Sequence, residues 1–209
     1  MHLHKRDPKT EIVDAATTVL DNYGIADLTM RRLARELGVT PGALYWHFDH
    51  KQQLLGAVAD RVLGPAYADA VGIDWRQRIA GMCSQLRDAL LSRTDGAELV
   101  SGSFAAGQSR GMEHILALLA REAAEAGLAA GHAELAARTI VHYVLGATGD
   151  EQSRIQWDAA GALQTPGVTP TSGGHSPIDR SADQGGGFDF GLQLLLDGIA
   201  APRLLPAMR

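Results

Sequence analysis

Between Leu28 and Phe48 the chain carries two helix starts and two helix ends, set either side of one glycine. Thr29 is a good N-cap, and Met30, Leu33, Ala34 and Leu37 follow it as a helical stripe that Gly38 closes. Thr40-Pro41 then reads as an N-cap with proline at the first helical position, opening a short helix that runs to about His47. Two helices this short bury little by themselves and must cross tightly. Ala34 is small enough to let them meet, Gly38 permits the reversal, and Val39 and Leu44 are placed to plug the corner. The face left over carries Thr40, Pro41, Gly42, Tyr45, Trp46 and His47, groups that suit a major groove and its phosphates. Corners of this kind also occur in all-α proteins that never meet nucleic acid, and a partly buried aromatic cluster is the lesser alternative for Tyr45, Trp46 and His47.

The flanks extend the helical pattern, and strand signals are nearly absent. Ile12, Ala15, Ala16, Val19, Leu20 and Tyr23 form one face of a helix over 10–23, with Gly24 suited to a left-handed C-cap. Asp49, with Gln52 three residues on, is expected to cap a fourth helix carrying Leu54, Leu55, Val58 and Val62, which Gly64-Pro65 ends. Further helices are expected over 75–91, 116–126, 132–145 and 188–200. The Pro-, Gly- and Ser-rich stretch within 160–187 is expected to be a flexible loop. The pattern predicts an all-α chain, with one set of helices over 1–64 and a second over 65–209.

Charge and composition narrow the function. The chain has a formal net charge of −5, yet residues 1–61 hold eight Lys/Arg and eight Asp/Glu, so the whole excess lies downstream. A neutral head on an acidic body fits a protein that touches nucleic acid at one end. Cys83 is the single cysteine, which excludes an internal disulfide and a cysteine-built metal cluster and suggests a reducing, cytoplasmic home. No leader segment is expected at the N-terminus, and the apolar stretch 188–201 falls short of the about 20 residues that span a bilayer. No Gly-x-Ser-x-Gly elbow, His-Glu-x-x-His pair or dinucleotide fingerprint is present, so the expectation is no enzyme and no cofactor. His142 with Asp150 and Glu151 has the residue types of a metal site, but not the i, i+4 spacing that puts two ligands on one helix face.

The run Leu28-Thr29-Met30-Arg31-Arg32-Leu33-Ala34-Arg35-Glu36-Leu37-Gly38-Val39-Thr40-Pro41-Gly42-Ala43-Leu44-Tyr45-Trp46-His47-Phe48, with Lys51 beyond it, closely resembles the DNA-binding domain of the tetracycline-repressor (TetR) family. The likeness spans roughly Lys9 to Val62. It implies an all-helical homodimeric regulator, usually a repressor, whose first three helices bind operator DNA and whose fourth links them to a ligand-binding body. DNA contacts then fall to Thr29, Arg31, Thr40, Pro41, Gly42, Tyr45, Trp46, His47 and Lys51. Thinner similarity to the tetracycline-repressor branch runs through 90–97, 142–152 and 190–194, and implies dimerisation through the helices over 132–149 and 188–200. Effector positions implied by that branch are Tyr67, Met82, Leu86, Val100 and Phe104, joined by Leu116, Leu119 and His142. Val100 stands where the branch has a metal-binding histidine, so no metal is expected, and a largely apolar ligand is expected in place of a magnesium chelate. The alternative is a regulator without a small-molecule effector, gated by a partner protein or by abundance.

Overall fold

The computed structural model describes residues 7–67, 72–161 and 186–201. Among these the elements are all helical. The first, α1 (Pro8–Asp27), buries Ile12, Val13, Ala16, Val19 and Leu20 and kinks at Gly24, whose φ of 78° suits glycine. Then come α2 (Met30–Glu36), α3 (Pro41–Tyr45) and α4 (Lys51–Leu63), the last ending in a 3₁₀ turn over Gly64–Tyr67 where the proline was expected to break it. The body comprises α5 (Trp75–Leu91), α6 (Gly96–Ala105), α7 (Arg110–Glu125), α8 (Ala130–Ala159) and α9 (Gly186–Ala200).

One apolar core runs from Ile12 to Ile199 and takes in residues on both sides of position 64. The joint is α4, which lies against α1 on one side and against α6 and α7 on the other. A Cβ at Gly56 of α4 would collide with the carbonyl oxygen of Gln108 in the α6–α7 turn. Beside it, Asp60 accepts hydrogen bonds from the Ser109 hydroxyl (2.7 Å) and the Gly111 N–H (3.0 Å). The head is thus bolted to the body through the α6–α7 turn.

Several expected elements differ. The cap of α4 sits one residue later: His50 Nδ1 accepts the Gln53 N–H at 3.1 Å, while Gln53 Oε1 accepts the Asp49 N–H at 2.8 Å. The histidine ring reaches the third amide, which leaves the Asp49 and Gln52 pairing unused. Val39 does not plug the corner but is 44% exposed, because its N–H closes onto the Ala34 carbonyl and turns the side chain outward. Helix α6 is a helix the pattern missed. Its serines and glycines are poor formers, and burial of Ala97, Leu99 and Val100 holds it instead. Helix α7 begins at Arg110, well before Leu116, because the Ser109 side chain caps it at the Met112 N–H. Helix α8 continues through Gly146 and Gly149 to Ala159. The expected loop over 160–187 falls, across 162–185, outside the described residues.

Candidate nucleic-acid interface and effector cleft

Leu44 and Phe48 are buried and root α3 in the head, which leaves Thr40, Pro41, Gly42, Tyr45 and Trp46 on the surface. Trp46 is 89% exposed, an unfavourable position for an indole unless something covers it. Gly38, at φ 66°, makes the reversal that brings α3 across α2. His47 is half-buried, and Lys51 is half-buried at the first turn of α4. Arg31 is exposed on α2, whereas Arg32 lies 3.6 Å above the Tyr23 ring and pairs with Asp27 at 3.0 Å. Of the two adjacent arginines, one fastens α2 to α1 and the other faces solvent. Thr29 spends its hydroxyl on the Arg32 N–H at 3.1 Å, so its first duty is the cap. Arg31 on α2 and Thr40, Pro41, Gly42, Tyr45 and Trp46 at α3 are thus all exposed, while His47 and Lys51 are half-buried.

In the body the expected effector positions divide. Met82, Leu86, Val100 and Leu119 are buried in the core, and the Tyr67 side chain lies outside the described residues. Phe104, Leu116 and His142 meet in an open cleft of about 540 Å³ between α6, α7 and α8. Ser101, Glu113 and Arg138 line it as well, so polar groups share the cleft with the apolar ones. Arg138 and Glu113 were not among the expected effector positions. Arg138 and His142 stand one helical turn apart, which was the available signal. A second cleft, of about 770 Å³, lies where α1 and α4 face the α6–α7 turn and is lined by Lys9, Phe48, Asp60, Arg61 and Arg110 among others. Gly107 and Glu113 line both, so the turn bolted to α4 is the wall between them.

Carboxylates of the body are largely paired. Glu151 accepts two bonds from Arg87, at 2.6 and 2.9 Å, which accounts for it without a metal, and His142 stands apart on an exposed face beside Phe104. Burial pushes the Glu122 carboxyl upward, but hydrogen bonds from Arg78 (2.6 Å) and Arg121 (2.9 Å) outweigh it and hold the group below its ordinary value. Asp95 links head to body. One carboxylate oxygen accepts the Ile25 N–H at 2.8 Å and the other accepts Gln156 Nε2 at 2.6 Å. Arg93 and Thr94 add bonds to Asp21.

Residues 12–58 match the profile of bacterial regulatory proteins, tetR family, and residues 70–203 match that of the tetracyclin repressor-like C-terminal domain. The chain is similar to tetracycline repressor protein class A from transposon 1721 of Escherichia coli, 36% identical over 211 residues that cover 96% of this chain and 94% of that one. Among solved structures, a crystal structure of Mycobacterium smegmatis BioQ shares 54% identity at a TM-score of 0.81, covering 95% of this chain and 98% of that one. A crystal structure of BioQ with its natural double-stranded DNA operator shares 51% identity at a TM-score of 0.77, covering 96% of this chain and all of that one.

Proposed function

The chain belongs to the tetR family of bacterial regulatory proteins and is a DNA-binding transcriptional regulator, not an enzyme; from that premise we propose that it is a dimeric repressor released from a palindromic operator by a small molecule bound in the α6–α7–α8 cleft. The observation that carries the DNA half is the exposed edge of α3, where a solvent-facing tryptophan and tyrosine follow three small residues at the helix tip. Small residues let the tip approach base edges, Arg31 and Lys51 flank it, and both are placed for phosphate or base contact. The proposed contact set is Thr29, Arg31, Thr40, Pro41, Gly42, Tyr45, Trp46, His47 and Lys51, with Thr29 acting chiefly as a cap. The likeness to BioQ, crystallised with its operator, supports this reading.

Dimerisation through α8 and α9 is supported by Phe190 and Leu194, 67% and 58% exposed on one face of α9. A two-fold dimer sets two copies of α3 one duplex turn apart, about 34–36 Å, and so demands a two-fold operator. Release follows from the α6–α7 turn. A ligand held against Phe104, Leu116 and His142 presses on Gly107 and Glu113, and the same turn is fixed to α4 at Gly56 and Asp60. Only a ligand that binds better when the reader helices are misplaced shifts the equilibrium. A mobility-shift assay on the DNA upstream of the chain's own gene tests both halves. Retardation that Y45A and W46A abolish, and that a bound metabolite relieves, is the expected result. Retardation indifferent to both substitutions contradicts the reading.

A further inference from the structure

The cleft between α6, α7 and α8 has a chemistry of its own that the proposed release leaves unused. Arg138 and His142 are one turn apart on α8 and so present two nitrogen-bearing side chains to the same space. Phe104 stands against the imidazole, ring centroids 6.2 Å apart and planes tilted by 53°, and with Leu116 it makes an apolar wall next to the charged pair. Glu113 faces them from α7. Neither Arg138 nor Glu113 takes part in an ion pair among the described residues. The volume, about 540 Å³, is that of a small-molecule site.

Resting on the effector reading above, we infer that the effector is a carboxylate monoanion with an apolar body, its carboxylate taken by Arg138 and His142 and its body laid on Phe104 and Leu116. A guanidinium matches the two oxygens of a carboxylate with two parallel N–H bonds, which makes it the residue suited to this group. A neutral apolar ligand would strip water from Arg138 and give nothing in return. A cation would meet Arg138 directly. A phosphate or dicarboxylate would bring a second negative charge toward Glu113, so the cleft selects one charge and rejects two.

Isothermal titration of the full chain with decanoate, decanamide and decyl phosphate tests this. Decanoate is expected to bind; decanamide to the wild type, and decanoate to R138Q, about tenfold more weakly, with R138K intermediate. Arg138 is exposed, so R138Q should fold as the parent does. Equal affinity for decanoate and decanamide, an unaltered R138Q, or decyl phosphate binding as tightly as decanoate each overturns the inference and leaves the cleft standing as an effector site. If none of the three probes binds, the inference and the cleft reading both fall.

Discussion

At the scale of single residues, the reading depends on which side chains of α3 face inward. Leu44 and Phe48 hold the helix, and Tyr45 and Trp46 have no structural duty that the described contacts reveal. Replacing Trp46 or Tyr45 by alanine should therefore leave the thermal midpoint nearly unchanged while costing ~1–3 kcal/mol of operator affinity, measured by fluorescence anisotropy. K51A should weaken all duplexes alike and lower the salt dependence of binding. This much was legible in the sequence, because proline and glycine fix where a short helix begins and what precedes it. Val39 was not, because a period of 3.6 residues has no authority inside a turn whose direction is set by one backbone hydrogen bond to Ala34. Cys83 offers a second test. Burial pushes its thiol up to about 12, so alkylation of the folded protein should be negligible and should appear only under denaturant.

Among the elements, α4 and the α6–α7 turn form the decisive pair. G56A puts a methyl group into the Gln108 carbonyl, a backbone atom that cannot swing aside. It should cost ~1–3 kcal/mol in urea unfolding and should blunt any effect of a cleft ligand on DNA affinity. A lost stability with full ligand response would refute the coupling. The loop before α6 provides a distinct link between α1 and α8. Asp95, at φ 53°, is the one described non-glycine residue with positive φ. D95A removes both carboxylate bonds and leaves a β-carbon in a strained conformation, whereas D95N keeps an acceptor and tolerates that φ. D95N should accordingly be the milder of the two in thermal unfolding. These contacts also explain what pattern reading misses. Helix α6 has weak propensity and is specified by distant partners, among them Gln152, whose Oε1 accepts the Ala97 N–H at 3.1 Å. In α8, Gly146 and Gly149 look like punctuation yet meet nothing that ends a helix. The cleft between α6, α7 and α8 is legible only in part, for the same reason. Resemblance points to Phe104, with Leu116 and His142 joined to it from the sequence, but the polar walls depend on how three helices meet.

For the whole molecule, stability should fall in acid. The Glu122 carboxyl ionises below its ordinary value when folded, so its pairing with Arg78 contributes fully above about pH 4.3 and is lost as pH drops through the lowered value. Urea midpoints measured from pH 7 down to pH 3 should decline, and E122Q should flatten the lower end of that curve. Val100 is wholly buried and offers no metal ligand, so magnesium-tetracycline should not bind the full chain with the affinity of a specific effector, as calorimetry can check. In the proposed complex, two copies of one exposed short helix enter successive grooves of the same duplex. Selection of tight binders from a randomised duplex pool tests it most directly. A two-fold sequence with half-site centres about 10 base pairs apart is expected, recovered by the wild type and not by W46A. Enrichment of an asymmetric site, or of the same site by both proteins, would contradict it.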